Sequence, residues 1–233
     1  MVGRIELERF AQVAAAHDEW HRHPARVLCV ACVEVMGVAG AGLALMSGGR
    51  SLDLIGVSDA ATESVEQMEY VLDEGPCVGA YRTQAPVFDA DLAGGGTARW
   101  PEFSRRAAAV GVRAAFGFPL LFDRICIGAL NLFHDQPGAL TDDQVADALV
   151  VAQFASWSVV SWQADAPPGR IAWQLEQAPI RPVEVYQATG RISVQAGVSL
   201  DDALVLLRAY AFSHDLPIKD VIADVAAGRL ELD

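Results

Sequence analysis

Three histidines near the amino end of the chain have a spacing that metal sites use. His17 and His21 lie four residues apart, which would place both imidazoles on one face of a helix. Asp18 follows His17, however, and Glu19 stands one position too late for the His-Glu-x-x-His pattern of zinc proteases. We therefore expect a solvated polar loop that also includes His23, and no metal site.

Cys29 and Cys32 have the Cys-x-x-Cys spacing of redox-active thiols. They lie in an apolar helical stretch, with no second cysteine pair for zinc and no thioredoxin-type strand before them. We expect both to be buried as small apolar residues. The sequence also lacks glycine-rich phosphate loops, a nucleophile elbow and the Ser-His-Asp order. We therefore expect no catalytic residue and no enzymatic activity.

Polar side chains recur at helical spacing near the carboxyl end. Gln187, Arg191 and Gln195 are separated by four residues each, so they share one face of a helix. Gly190 lies on the same helix, where glycine costs about 1 kcal/mol relative to alanine. A close approach of another helix or of a ligand would explain this glycine. The polar face is either an ordinary solvated surface or a binding surface.

Hydrophobic periodicity predicts the elements that position these residues. We expect two helices over about 6–36, a hairpin over 42–58, helices over 61–72 and 78–82, an extended segment over 85–92 and a helix over 99–111. A second hairpin follows over 112–135, and a capping box at Thr141 and Gln144 opens a long helix to Trp162. Residues 1–165 are thus predicted to form one antiparallel sheet of about five or six strands, covered by helices.

The composition changes between Ala164 and Pro182, where proline and glycine recur, and this indicates a linker over 166–182. Residues 183–233 have a purely helical pattern. Gly197, Ser199, Pro217 and Gly228 mark the ends of three helices. The fold class is therefore α+β, an antiparallel sheet flanked by helices followed by a small all-α unit.

The overall charge limits the partners of the chain. Its 233 residues are 52% apolar and carry a net charge of −13, which repels phosphate backbones and anionic membranes. Four cysteines in apolar surroundings and the absence of a secretory signal indicate the cytoplasm. No stretch reaches the roughly 20 apolar residues of a membrane span. The apolar faces of the helices exceed what one copy can bury, so we expect a homodimer.

The carboxyl-terminal segment VYQATGRISVQAGVSLDDALVLLRAYAFSHDLPIKDVIADVAAGRL resembles an ANTAR domain, the three-helix RNA-binding module of transcription antiterminators. The matching marks are Ala-Thr-Gly at 188–190, Gly-Val-Ser at 197–199 and Leu-Pro at 216–217. Upstream, LDEGPCVGAYRTQAPVFDADL, RWPEF and FGFPLLFDRICIGALNLFHDQPGALT resemble the GAF domains that precede ANTAR units in actinobacterial regulators.

This resemblance implies a cytoplasmic, dimeric regulator. Its GAF sensory domain would occupy residues 1–165, and its ANTAR domain, residues 183–233, would bind hairpins in messenger leaders and prevent termination. The residues expected to contact RNA are Gln187, Arg191, Gln195, Arg208, Tyr210 and Lys219, with Tyr210 either a stacking surface or part of the core. The alternative is a ligand-sensing or dimerisation protein whose helical unit binds another protein.

The resemblance also implies a small-molecule ligand in the GAF domain, although the sequence identifies no cofactor. Four positions on or beside the sheet either line its pocket or belong to the core, namely Cys77, Phe116, Phe118 and Asn131. Residues 183–233 carry four basic and eight acidic side chains, a net charge of −4. RNA recognition would therefore depend on stacking and hydrogen bonds to unpaired bases more than on phosphate contacts.

Overall fold

The computed structural model of the chain describes residues 7–47, 51–94, 99–164 and 182–232. Within these residues the first helices and hairpin are α1 (Leu7–Ala16), α2 (Pro24–Met36), β1 (Gly40–Ser47) and β2 (Ser51–Val57). They are followed by α3 (Ala60–Leu72), α4 (Pro76–Thr83), β3 (Val87–Asp89), α5 (Pro101–Ala109), β4 (Ala114–Phe122), β5 (Ile125–His134) and α6 (Asp142–Ala164). The last three helices are α7 (Pro182–Ala196), α8 (Leu200–His214) and α9 (Ile218–Ala226).

The strands form one antiparallel sheet of five strands in the order β2-β1-β5-β4-β3, which confirms both hairpins and the predicted single sheet of about five or six strands. The second hairpin turns at Asp123, whose φ of 55° lies in the left-handed region that such tight turns need. β3 pairs only with residues 115–117 of β4, so the rest of β4 is an edge. An edge strand tolerates Pro119, which has no N–H to donate.

Helices cover both faces of this sheet. One face carries Phe116, Phe118 and Leu132, and it packs in a core with α1, α2 and α6. The other face carries Ala129 and Phe133 and packs against the layer of α3, α4 and α5. The two faces follow from strand alternation, because successive residues of a strand point to opposite sides.

The register places two glycines beside Asn131 on the face that α3 and α4 cover. Asn131 lies on the central strand β5, opposite Gly42 of β1 and Gly117 of β4. A Cβ atom at position 117 would lie 2.3 Å from the backbone oxygen of Pro76, so only glycine lets the start of α4 approach the sheet this closely. The row Gly42–Asn131–Gly117 is therefore a depression with one polar side chain at its centre.

α6 is the one helix among the described residues that is long and apolar enough to cross a membrane. It has 23 residues, and its most apolar window has a mean hydropathy of 1.3. The helix packs against β4 and α2, and 39% of that window is buried. The predicted capping box opens it, since the backbone N–H of Gln144 donates to Thr141 Oγ1 at 3.2 Å.

The last three helices form a compact unit with an apolar centre, made chiefly by Val185, Ala188, Ile192, Leu207 and Val221. The predicted ends are confirmed. Ser199 Oγ accepts the backbone N–H of Asp202 at 3.1 Å, and Gly197 and Gly228 have φ values of 66° and 72°. The predicted linker lies outside the described residues from 166 to 181. The unit packs on the sheet domain through contacts between α8 and α3.

Candidate functional site

Four buried polar residues meet in the depression on the sheet. Glu66 and Glu69 lie one turn apart on α3, Cys77 lies in the first turn of α4, and Asn131 lies on β5. Glu66 is 2% exposed and the other three are fully buried. The candidate ligand atoms of Glu66, Glu69 and Cys77 all lie within 4.8 Å of one another. We call these four residues the acidic cluster.

The side-chain amide of Asn131 holds the two carboxyl groups together. Its Nδ2 donates to Glu66 Oε1 at 2.8 Å, to Glu66 Oε2 at 3.0 Å and to Glu69 Oε2 at 2.9 Å. The backbone N–H of Cys77 donates to Glu69 Oε1 at 3.2 Å. An amide nitrogen has two hydrogens, so it cannot satisfy three acceptors fully. The carboxyl oxygens are therefore short of donors.

Burial controls the protonation of the acidic cluster. It raises the pKa of Glu66 to about 7, against a partial opposing effect of the Asn131 hydrogen bond. Burial, and then the charge of Glu66, raises the pKa of Glu69 well above its ordinary value. Burial and the charges of Glu69 and Glu66 raise the pKa of the Cys77 thiol. Without a cation, the cluster retains protons at neutral pH, and the thiol is a poor nucleophile.

The sequence predicted only half of this site. Cys77 and Asn131 lie together in the acidic cluster, whereas Phe116 and Phe118 lie in the core on the opposite face of the sheet. The structure therefore does not bring the four predicted pocket positions together. Glu66 and Glu69 were missed. Their signal is that they occupy core positions of α3, at helical spacing from the buried Thr62 and Val65.

The expected roles of the amino-terminal cysteines are confirmed. Cys29 and Cys32 lie on α2, and both are fully buried in the core between this helix and the sheet. Burial raises the pKa of the Cys32 thiol to about 12 and that of Cys29 well above its ordinary value. His17 lies 3.4 Å from Glu34, and among the described residues the only group suited to a metal is within the acidic cluster.

A second surface lies on α7. Gln187, Arg191 and Gln195 are exposed along one side of the helix, beside Tyr186, which is 58% exposed. Apart from its chain neighbours and the nearby backbone of α7 itself, no heavy atom of the described residues lies within 4 Å of a Cβ atom placed at Gly190. We call this surface the outward face of α7. No other helix of the described chain accounts for Gly190, so the backbone there is open to a ligand.

The other three positions predicted to contact RNA lie elsewhere. Arg208 is only 7% exposed, and its guanidinium lies 5.0 Å from the ring centre of Tyr70 on α3. Lys219 donates to Glu63 Oε1 on α3 at 2.6 Å. Tyr210 is half-buried and stacks on His214 with ring centres 4.0 Å apart. Two of the six predicted residues therefore contact the sheet domain in this structure.

A further contact joins the helical unit to α5. The guanidinium of Arg106 lies 4.3 Å from the ring centre of Phe212, and its Nη1 lies 3.8 Å from Asp215 Oδ1. This contact of Arg106 and the pairs Glu63–Lys219 and Tyr70–Arg208 connect the helical unit to the sheet domain. We call these three contacts together the docking contact. Beside it, a cleft of about 180 Å³ separates α3 from the end of α8.

Another cleft, of about 360 Å³, lies beside β3. Its lining includes Phe88, Asp89, Asp91, Arg99 and Trp100, and none of the four predicted pocket positions is among its described residues. The guanidinium of Arg99 lies 5.3 Å from the ring centre of Trp100. The cleft thus offers aromatic and charged groups of both signs at the surface.

Comparison with known proteins identifies the sheet domain. Residues 25–156 match the family model of the GAF domain. No curated protein matches the sequence. The solved GAF domain of a phosphoenolpyruvate-protein phosphotransferase from Acinetobacter is 16% identical with a TM-score of 0.53, and it covers 68% of this chain and 92% of its own. The corresponding domain from Coxiella burnetii is 14% identical with a TM-score of 0.52 and the same coverages.

Proposed function

Because the match over residues 25–156 makes this chain a member of the GAF domain family, we propose that it is a transcription antitermination regulator whose GAF domain controls RNA binding. The GAF fold implies ligand sensing or signalling. In this proposal residues 1–165 are the sensory domain, residues 166–182 the linker, and residues 183–233 an ANTAR domain that binds hairpins in messenger leaders. The protein acts in the cytoplasm and is not an enzyme.

The observation that carries the proposal is the outward face of α7. Its exposed amides and guanidinium, on Gln187, Gln195 and Arg191, can read the edges of unpaired bases, and Tyr186 can stack on a base. Gly190 leaves the helix backbone open in their midst. These are the groups that recognise the splayed bases of hairpin loops. An ordinary solvated face would not require the glycine, which costs helix stability.

The charge of the unit fits this mode of binding. Residues 183–233 have a net charge of −4, so contacts with phosphate contribute little to affinity. Specific RNA recognition does not require a basic surface when bases are held by stacking and hydrogen bonds. The affinity should accordingly depend less on salt than that of a basic RNA-binding protein.

Control by the sensory domain acts through α3. One side of this helix carries Glu66 and Glu69 in the acidic cluster, and another carries Glu63 and Tyr70 in the docking contact. A change in the GAF domain that moves α3 would therefore release Arg208 and Lys219 for RNA. The docked arrangement is the state of low RNA affinity, because only a difference in contacts between two states can change an affinity.

A homodimer is part of the proposal. Leu149 and Trp157 are exposed on α6, at 45% and 59% of their surface, although both are large and apolar. A second copy would bury them. Light scattering at micromolar concentration should give twice the mass of 24.9 kDa. The mass of a single chain would contradict this part of the proposal.

Selection from a pool of RNAs with two adjacent hairpins and randomised loops tests RNA binding. We expect the full chain to enrich particular loop sequences and to bind them more tightly than single hairpins or duplex DNA. Arg191→Ala should weaken binding by about 1 to 3 kcal/mol, roughly 5- to 150-fold, without loss of folding. Arg105→Ala, which removes an exposed arginine of the sensory domain, is the control and should leave binding unchanged.

The same variants test the alternative, in which the helical unit binds a protein. That alternative is favoured by apolar side chains such as Val194, Leu200 and Val205, which are 85%, 56% and 49% exposed. Failure to enrich any RNA, together with loss of a protein partner in Arg191→Ala, would replace the RNA proposal with this one.

A further inference from the structure

We propose that the acidic cluster of Glu66, Glu69, Cys77 and Asn131 is a binding site for one divalent transition-metal ion. The inference goes beyond the function proposed above and does not rest on RNA binding. It rests on the charge, the unpaired oxygen, the backbone shape and the ligand chemistry of the cluster.

The charge balance of the cluster is the first argument. Two carboxyl groups are buried side by side, and their hydrogen bonds within the described chain come only from an amide and a backbone N–H. None of the ion pairs of the described residues joins either carboxyl group to a cationic side chain. Buried carboxylates are normally paired with a cation or held by a metal. A divalent ion would supply the missing positive charge.

Asn131 gives an independent indication. Its Oδ1 is buried and has no hydrogen-bond partner within the described residues, whereas its Nδ2 contacts both carboxyl groups. A rotation of the side-chain amide by 180° exchanges the positions of Oδ1 and Nδ2 without moving the backbone. An oxygen turned toward two ionised carboxylates is favourable when a cation lies between them. In that second orientation, with an ion bound, Oδ1 would be a fourth ligand directed at the space between the two carboxyl groups.

The backbone makes room for these groups. A Cβ atom at Gly42 would lie 1.9 Å from Glu66 Oε1, and one at Gly75 would lie 2.1 Å from Glu69 Oε1. Each carboxyl group therefore occupies the space of a side chain that its neighbouring glycine lacks. Gly75 has a φ of 120°, which side chains rarely adopt. Both glycines keep the carboxyl groups directed toward Cys77 and Asn131.

The ligand set selects the class of ion. Two carboxylates and an amide oxygen alone would suit Mg²⁺ or Ca²⁺, but a thiolate favours softer ions such as Zn²⁺, Fe²⁺ or Co²⁺. When the ion binds, the protons of the carboxyl and thiol groups pass to solvent. Three anionic ligands then bind an ion of charge +2. Because the cluster is fully buried, the ion enters during folding or through local opening.

Refolding with cobalt tests the site. The full chain is unfolded in denaturant with a chelator, freed of both by gel filtration and refolded with one equivalent of Co²⁺. We expect one Co²⁺ per chain and a near-ultraviolet charge-transfer band from sulfur to cobalt. Zn²⁺ should displace the cobalt, and an excess of Mg²⁺ should not.

Variants assign the ligands. Cys77→Ser should abolish the charge-transfer band, and Glu69→Gln should lower Co²⁺ affinity by about 100-fold or more. Both are nearly isosteric, and circular dichroism checks their folding. Cys126→Ser removes a buried thiol outside the acidic cluster and should retain both the ion and the band. Substoichiometric Co²⁺ in the folded chain, or a band that survives in Cys77→Ser, would overturn the proposal.

Discussion

Burial opposes the ionisation of both Glu66 and Glu69, and the charge of Glu66 opposes the ionisation of Glu69 further. In the metal-free chain this raises the energy of the folded state when both are charged. A cation at the acidic cluster would reverse the effect, since it would favour the charged forms of the same groups. The protonation of these two residues thus links metal occupancy to stability.

The stability of the metal-free chain should fall as the pH rises. An acid whose pKa is higher in the folded chain makes its full contribution to stability at a pH below its unfolded pKa, near 4.5. That contribution is lost as the pH rises through the folded pKa. The folded pKa is about 7 for Glu66 and well above the ordinary value for Glu69. The thiol of Cys77 faces the same two carboxyl groups, and the thiol of Cys126 is near Cys77. One pKa unit corresponds to about 1.4 kcal/mol, so a loss of a few kcal/mol is expected.

Urea unfolding of the chelator-treated chain between pH 5 and 8 measures this effect. Glu69→Gln removes one of the two acids and should flatten the dependence on pH while raising stability at pH 8. If the free energy of unfolding of the unaltered chain is constant or rises over this pH range, ionisation of the two carboxyl groups does not destabilise the fold, and the prediction is wrong.

Sequence reasoning recovers the polar residues of the site only where their surroundings mark them. Cys77, which follows a Gly-Pro turn, and Asn131, which interrupts an apolar strand, were predicted as candidates from their positions on or beside the sheet. Glu66 and Glu69 occupy a helix that also carries Glu63, which is part of a surface contact. The sequence does not show whether a glutamate of a helix faces solvent or the core. Only the packing of α3 on the sheet distinguishes Glu66 and Glu69 from Glu63.

At the scale of the elements, α3 is the connection between the two parts of the chain. It covers the depression in the sheet with one side and contacts α8 and α9 with another. The polar contacts on that second side are an ion pair and an arginine over a ring, and apolar side chains of α3 such as Met68 and Leu72 adjoin the same apolar cluster as the helical unit. The polar pairs of the docking contact are individually weak, so the loss of one of them should loosen the interface.

Loss of the ion pair Glu63–Lys219 through a substitution in the sheet domain should weaken the docking of the helical unit. Glu63→Ala leaves every predicted RNA contact in place, and we expect it to raise RNA affinity about two- to fivefold, as for a partly exposed ion pair. Fluorescence anisotropy with a selected RNA measures the change. Glu34→Ala, which removes a half-exposed glutamate on α2, is the control. Lower affinity in Glu63→Ala would contradict the account of a docked state that restrains binding.

Helices, strands and turns were predicted well because each has a local cause. The capping residues Thr141 and Ser199 and the turn at Asp123 act within a few residues of themselves. The side of the sheet that Phe116 and Phe118 face could not be predicted in the same way. β4 is buried on both faces over most of its length, so its apolar pattern does not indicate which face meets which helix.

At the scale of the whole molecule, the sequence predicted a sheet domain followed by three helices, and it did not predict how they pack together. The contact between α3 and α8 joins residues more than a hundred positions apart, and it includes the pair Tyr70–Arg208, which no local sequence pattern indicates. The negative charge of both parts gives no attraction between them overall. Pairs such as Glu63–Lys219, together with the apolar cluster that both parts share, therefore hold the arrangement.

The central claim, that the outward face of α7 binds RNA, is tested most directly by Gly190→Ala. Apart from the neighbouring residues of α7, no described atom lies within 4 Å of the added methyl group, so the variant should stabilise the fold by about 0.5 to 1 kcal/mol. The same methyl group would separate an RNA base from the helix backbone and should weaken binding of a selected two-hairpin RNA about tenfold or more. Thermal unfolding and RNA titration of one preparation give both values. A more stable chain that binds RNA less tightly is the predicted result, and unchanged RNA affinity would contradict the account.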